Sequence, residues 1–248
     1  MKNLLKIKNL RKIYHTKDRE ILAVDNFSFE LLNGEFITIV GPSGCGKSTI
    51  LSILCGLEKK SSGHIKISDN IKLGYMLQKD CLFDWLTIYE NCLIGLRISK
   101  NDNKKNQEYV KRLLKTYGLY EFKDTYPNNL SGGMRQRVAL IRTLATKPDI
   151  LLLDEPYSAL DYQTRLAVSD DVYKIIKKEG KSAIMVSHDI AESISVSDRI
   201  IVMSKRPSKI KKIFDVKLNN KSTPIENRKD KNFSKYYDLI WKEIDYHV

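Results

Sequence analysis

The stretch "EFITIVGPSGCGKSTILSILCGL", Glu35 to Leu57, changes its periodicity twice. Phe36 to Val40 is a continuous apolar run of strand length, the next residues are rich in glycine, and "STILSILCGL" repeats apolar residues at helical spacing until about Gly56. A strand passing through a glycine loop into a helix is the setting of a phosphate-binding loop, and "GPSGCGKST" has the spacing GxxxxGK[ST]. The loop comprises Gly41, Pro42, Ser43, Gly44, Cys45, Gly46, Lys47, Ser48 and Thr49. Glycines let backbone N–H groups turn in around phosphate oxygens, the helix N-terminus adds positive dipole, and Lys47 is placed to neutralise the β- and γ-phosphates of ATP. Ser48 is the expected Mg²⁺ ligand. Cys45 lies within the same loop, where a helix-end field lowers a thiol pKa, so a reactive thiol shielded by ATP is expected there.

Outward from this loop the chain keeps alternating between two patterns. "LLKIKNLRKIY" and "AVDNFSFELLNGEFITIV" read as strands with a turn at Asn33-Gly34. Strand-like runs return at Asp149 to Asp154, Ser182 to Ser187 and Arg199 to Met203, with a helix from about Gln163 to Glu179 between the first two. Strands alternating with helices predict an α/β fold whose parallel sheet is covered on both faces. Between about Asp80 and Lys147 the pattern is helical, with Val110, Leu113, Leu114 and Tyr117 at helix spacing, which predicts a helical subdomain inserted into the sheet domain. "NNKSTPIENRKDKN", Asn219 to Asn232, reads as a linker, and "SKYYDLIWKEI" as a helix in a tail too short for a regulatory domain.

A chain of 248 residues, 42% of them hydrophobic, can bury a substantial core as one folding unit. No apolar run approaches the roughly 18 residues of a membrane span, and "MKNLLKIKNL" breaks its leucines with lysine and asparagine, so a soluble, cytoplasmic chain is expected. Cys45, Cys55, Cys81 and Cys92 form no CxxC pair and are read as thiols. The net charge of +13 comes mostly from lysines spread along the chain, without an interleaved aromatic and basic stripe. That pattern reads as a generally basic surface, not a nucleic-acid interface, and the densest patch, "SKRPSKIKKIF", reads as a solvated face with loose strand alternation at Ile210, Ile213 and Val216.

Three further stretches carry chemistry. "ILLLDEP" is a buried-strand pattern ending in adjacent carboxylates, which alternation sends in different directions. Asp154 is then the Mg²⁺ carboxylate, and Glu155 the group that orients or deprotonates an attacking water. "VSHD" sets His188 beyond another strand, where ligands sit in open α/β sheets and it can contact the γ-phosphate, although a lone histidine is more often structural than catalytic. Gln78 in "GYMLQKD" follows a short apolar run, from which its amide can reach the metal or the water.

Together these residues resemble the ATP-binding-cassette (ABC) ATPases. "LSGGM" matches the family's signature motif, "SALD" (Ser158 to Asp161) the loop after the catalytic glutamate, Gln78 the Q-loop, His188 the switch histidine and Tyr14 the aromatic that stacks on adenine, over about Leu4 to Ile213. The resemblance implies a P-loop NTPase (RecA-like) core with an N-terminal antiparallel β-subdomain and an inserted helical subdomain (about 80–147). It makes 1–248 a single ATPase domain with a tail at about 215–248. It also accounts for two adjacent glycines opening a helix. In this family two cassettes face each other head to tail, and Ser131 with the backbone N–H groups of Gly132 and Gly133 reaches the γ-phosphate held by the partner's loop, with Asp161 beside it. The close approach to these glycines is expected to be intermolecular.

At a finer level, "MLQKDCLFDWLTIYENCLIGL", "DRIIVMSKRPSKI" and "YYDLIWKEI" look most like the ATPase subunits of nitrate, sulfonate, taurine and vitamin-precursor importers. Ser208 stands where that group usually has Gly. The resemblance implies Mg²⁺ and ATP, a second ATPase subunit, transmembrane permease subunits, an extracytoplasmic binding protein, and a peripheral place on the cytoplasmic face of the membrane. It also implies that the segment after the Q-loop, around Leu82 to Trp85, contacts the permease. Rival readings are an exporter-type ATPase, a non-transport cassette working with soluble partners, and an ATP-binding scaffold without turnover. The chain shows neither the long coiled coil of repair cassettes nor the two cassettes of translation factors, and intact Lys47, Asp154, Glu155 and His188 argue against the scaffold.

Overall fold

A computed structural model describes residues 2–158, 160–219 and 221–244. Ala159, inside the "SALD" stretch, and Asn220, inside the expected linker, lie outside the described residues. Two sheets organise the fold. β1 (Asn3–His15) pairs antiparallel with β2 (Glu20–Leu32) and with β4 (Ser62–Ile67) in a three-stranded sheet. The second sheet has the order β5 (Leu73–Met76), β6 (Ile150–Asp154), β7 (Ser182–Val186), β3 (Phe36–Val40), β8 (Arg199–Met203), β9 (Ile210–Asp215). All its neighbours are parallel except β8 and β9.

The central strands β6, β7 and β3 of this second sheet are buried along their whole length because each face is covered by a different layer, whereas the edge strand β9 exposes Lys211 and Lys212. On β6, Leu151 and Leu153 face one hydrophobic cluster while Ile150 and Leu152 face the other, and Ala183, Met185, Ile184 and Val186 divide in the same way on β7. One cluster is shared with α2 (Ile88–Ile98), α3 (Lys104–Thr116), α4 (Gly132–Ala145) and α5 (Tyr162–Lys178). The other takes in α1 (Lys47–Leu54) and the three-stranded sheet. Each large aliphatic side chain so buried contributes roughly 1.5–3 kcal/mol. A third cluster joins Val40, Ile200 and Val202 to α6 (Ile190–Val196) and to Ile240 and Ile244 at the chain's end.

Two expectations need correction. The segment 80–87 is not helical; helix α2 begins only after Thr87, whose side chain forms a capping box with Glu90. Nor is the stretch from Asn219 to Asn232 a free linker. Lys221 donates to Ser197 O at 2.7 Å and pairs with Asp198, buried Asn227 donates to Ser195 O at 2.7 Å, and α7 (Pro224–Asn227) is capped by Thr223. Its polar residues cap and tether, and the helix α8 (Phe233–Glu243) is thereby delivered to the third cluster.

Ser208 joins the two sheets. Fully buried, it donates from N and from Oγ to Ala23 O at 3.1 and 2.9 Å, and its carbonyl accepts from Asp25 N at 2.9 Å. The hydroxyl adds a bond that Gly in this place lacks.

Candidate functional site

β3 runs into the phosphate loop, and two residues there require left-handed backbone: Gly44 at φ +71° and Gly46, the N-cap of α1, at φ +109°. The loop curls around its own lysine. Lys47 is buried, and its Nζ donates to Gly41 O at 2.8 Å and Pro42 O at 3.0 Å. A cavity of about 540 Å³ opens beside it, lined by Ser43, Gly44, Gly46, Lys47, Ser48 and Thr49 from the loop, by Tyr14 and Ala23 from the three-stranded sheet, and by Gln78, Glu155, His188 and Arg206. Tyr14 donates to or accepts from Thr49 Oγ1 at 3.3 Å, and Lys12 Nζ lies 4.5 Å from its ring centre.

The two carboxylates part company at the end of β6. Asp154 is buried, its Oδ1 accepting from Ser48 Oγ at 2.9 Å and its Oδ2 from Tyr75 OH at 3.2 Å. Burial pushes its pKa up, and burial pushes the Tyr75 phenol up to about 12. Glu155 leaves the extended conformation at φ +44°, an arrangement that costs of order 1–3 kcal/mol for a residue with a side chain. This turn aims its carboxylate away from Asp154 and into the cavity mouth, where Oε2 accepts from Gln78 Nε2 at 3.0 Å and lies 3.3 Å from His188 Nδ1. Residues far apart in sequence thus bring an amide and an imidazole to one oxygen of a potential base.

Not every expected residue lines the cavity. Gly41 and Pro42 take part through the carbonyls that hold Lys47, while Ser131, Gly132, Gly133 and Asp161 lie elsewhere, at the starts of α4 and α5. Ser131 Oγ caps α4 by accepting from Met134 N, and Asp161 Oδ1 caps α5 by accepting from Thr164 N at 3.0 Å. The expected intermolecular close approach needs amendment at Gly133, where a Cβ would stand 2.8 Å from Thr164 Cγ2 of the same chain. Tyr75 and Arg206 were not singled out from sequence. Tyr75 was discoverable only as an alternating position on the strand preceding Gln78; Arg206, whose guanidinium would meet a Cβ at Gly44 at 2.9 Å, stood in a basic run read as a solvated face.

The expectation for Cys45 is overturned. Its side chain is 2% exposed and packs inward in the cluster with Met203, so burial pushes the thiol pKa up and outweighs the nearby Lys47 charge. Iodoacetamide at neutral pH should therefore label exposed Cys81 and leave Cys45 unmodified, with or without ATP, as read by peptide mass spectrometry. ATP-sensitive labelling at Cys45 would restore the reactive-thiol reading.

Comparison with known proteins agrees with this geometry. The ABC transporter family matches residues 24–158. The chain is 41% identical to the ABC transporter ATP-binding protein YtlC of Bacillus subtilis, over 98% of this chain and 96% of that protein. It is 40% identical to the taurine import ATP-binding protein TauB of Pelagibacter ubique over 84% of this chain and 81% of that protein. With an aliphatic sulfonates import ATP-binding protein SsuB of Bacillus cereus the identity is 38%, over 84% of each. Among solved structures it is similar to the ATP-binding cassette MJ0796 in a dimeric post-hydrolysis state bound to ADP and Pi, with a TM-score of 0.76 and 31% identity over 86% of this chain and 99% of that one. A phosphate loop beside a glutamate held by Gln78 and His188, on a chain with relatives named for import, has one consistent reading: the chain belongs to the ABC transporter family and is an ATP-binding cassette ATPase.

Proposed function

We propose that this ATPase energises uptake of a small solute, of the sulfonate, taurine, nitrate or vitamin-precursor kind, through a separate permease fed by an extracytoplasmic binding protein. The chain works as a pair with a second copy, peripherally on the cytoplasmic face of the membrane; no helix among its described residues is long and apolar enough to cross one. The relatives named for taurine and sulfonate import support the solute class. The single observation that carries the transport reading is one stretch of chain that runs from Gln78, at the catalytic oxygen, to an exposed tryptophan that packs on half-buried Phe83. Trp85 is 73% exposed with its ring centre 5.1 Å from that of Phe83. Leu82, expected in the same contact, is instead part of the core.

That stretch is fastened to the helix carrying the signature motif. Arg135 grips Asp80 with two hydrogen bonds of 2.8 and 3.0 Å, Arg142 donates to the carbonyls of Asp80 and Cys81, and Gln136 donates to Gln78 O at 3.2 Å. Buried Asn91 holds Phe83 N and O. A displacement imposed at Trp85 is thereby passed to Gln78 and α4 as one body.

In turnover, phosphate oxygens displace the Gly41 and Pro42 carbonyls from Lys47, while Tyr14 stacks on adenine and Arg206 adds a cation at the rim. Ser48 Oγ and an Asp154 oxygen, 2.9 Å apart, are hard donors that suit Mg²⁺, and the Gln78 amide oxygen would add a third. Bound there, Mg²⁺ supplies neutralisation of phosphate charge. Glu155 Oε2 takes the proton of the attacking water, and Gln78 and His188 orient that water and the γ-phosphate. Ser131, Gly132 and Gly133 lie outside the chain's own cavity, and the solved cassettes to which it is similar are dimeric, which supports their use on the γ-phosphate of the second copy. Hydrolysis removes that bridge, and the pair opens.

The test is a mild-detergent purification of tagged Glu155→Gln chain with ATP from its native membranes. A multi-span membrane protein should accompany it, and Trp85→Ala should weaken that association and uncouple uptake while sparing basal ATPase. Soluble partners alone, or nucleic acid, would transfer the motor to a different task.

A further inference from the structure

The first turn of α5 gathers three segments that are remote in sequence. Asp161 caps it. Thr164 is the residue that Gly133, at the start of α4, approaches too closely to carry a Cβ. Arg165 follows, and its guanidinium reaches two different segments: Nη2 donates to Leu160 O at 3.1 Å, and Nη1 donates to Asp189 Oδ2 at 3.2 Å.

Asp189 is the residue after His188 and the N-cap of α6. Its Oδ1 accepts from Glu192 N at 2.9 Å, and its backbone N donates to Ser187 Oγ at 3.0 Å. Ser187 Oγ in turn donates to the carboxylate of buried Glu192. The turn bearing His188 is thus fixed from within by Ser187, Asp189 and Glu192, and from outside by Arg165.

We infer that Arg165 is a positioning residue for His188, tying its turn to the loop ahead of α5 so that the elements facing a second copy and the catalytic pair of the same chain move together. The inference rests on the reading of His188 and Glu155 given above. A simple surface ion pair would be worth little. Here, however, the guanidinium is partly withdrawn from water, and its Nε is buried without a hydrogen-bond partner, a cost that the two bonds of the fork must offset. A planar guanidinium holds two acceptors on separate segments in one fixed geometry, whereas an ammonium, which can also reach two acceptors, does so on a more flexible stem. What depends on the tie is the 3.3 Å approach of His188 Nδ1 to Glu155 Oε2.

The experiment compares ATP turnover, KM for ATP and thermal midpoint in the full chain for Arg165→Ala, Arg165→Lys, His188→Ala and the double Arg165→Ala/His188→Ala variant. Misplacing a catalytic group by about 1 Å costs up to about 10²-fold, so Arg165→Ala should lose roughly 10- to 100-fold in kcat with KM and midpoint nearly unchanged. Arg165→Lys should fall between it and the parent. The double variant should be no slower than His188→Ala alone. If Arg165→Ala fails to fold, Asp189→Asn makes the same comparison, since asparagine keeps the cap on α6 and removes the charge that Arg165 meets.

Full kcat in Arg165→Ala with a slow His188→Ala would overturn the positioning role alone. So would multiplication of the two losses in the double variant, or a fall in KM and midpoint that tracks kcat. A His188→Ala chain at the parent rate would instead remove the assignment of His188, and the positioning role with it.

Discussion

Glu155→Gln is expected to slow ATP turnover by about 10²–10⁴-fold with ATP affinity unchanged, because a carboxylate lost as a general base costs that much. The substitution isolates the proton acceptor. A glutamine oxygen can still accept from Gln78 Nε2, which now stands 3.0 Å from Glu155 Oε2, and the backbone at φ +44° has the same steric demand for either side chain. Phosphate release against equilibrium ATP binding reads the two quantities separately, and the ATP-bound pair should persist longer on size-exclusion chromatography. Weakened ATP binding with turnover retained would refute the assignment of Glu155 as base.

Lys47→Ala should show the complementary pattern, a loss of about 10²–10³ in kcat/KM, the scale of removing one preorganised donor from a developing or fixed negative charge. In the folded chain the ammonium is buried against the carbonyls of Gly41 and Pro42, so its removal leaves two inward carbonyls without a donor and the phosphates without their counter-charge. Weaker binding of ATP, measured by titration calorimetry, is therefore expected alongside slower turnover. If affinity survives and only kcat falls, Lys47 is not the phosphate clamp. Together the two variants separate binding from chemistry at one cavity.

How far these residues could be read in advance follows from where their information lies. β3 and β8 span the expected Phe36 to Val40 and Arg199 to Met203 because strands covered on both faces are dominated by apolar residues, with only Thr38 and Arg199 interrupting them. The gathering of Lys47, Gln78, Glu155 and His188 was legible for a related reason: each follows an apolar run, and parallel strands bring their carboxyl ends to one edge. Tyr75 was not, since its hydroxyl acquires a partner only when β5 lies against β6, 79 residues away from Asp154 in sequence. Cys45 was misread because a helix-end field and burial act on a thiol in opposite senses, and a loop sequence reveals only the first. Within "CLFDW" apolarity could not separate Leu82, which goes into the core, from Trp85, which does not. The polar stretch before α8 looked unstructured because capping and tethering use the same residue types as linkers.

The place of β3 between β7 and β8 has a consequence for the timing of synthesis. Gly34, just before β3, donates from its N–H to Ser182 Oγ 148 residues later, and Ala23 O accepts from Ser208 Oγ across 185. At translation speeds of about 5–20 residues per second, the strand leading to the phosphate loop waits on the order of ten seconds for its first neighbour. Through that interval a mostly apolar strand has no sheet to enter, and the nascent chain has no finished cavity with which to recruit ATP. Nucleotide can stabilise this protein only once the segments carrying His188 and Arg206 have left the ribosome, so β3 must wait for β7 without help from ATP.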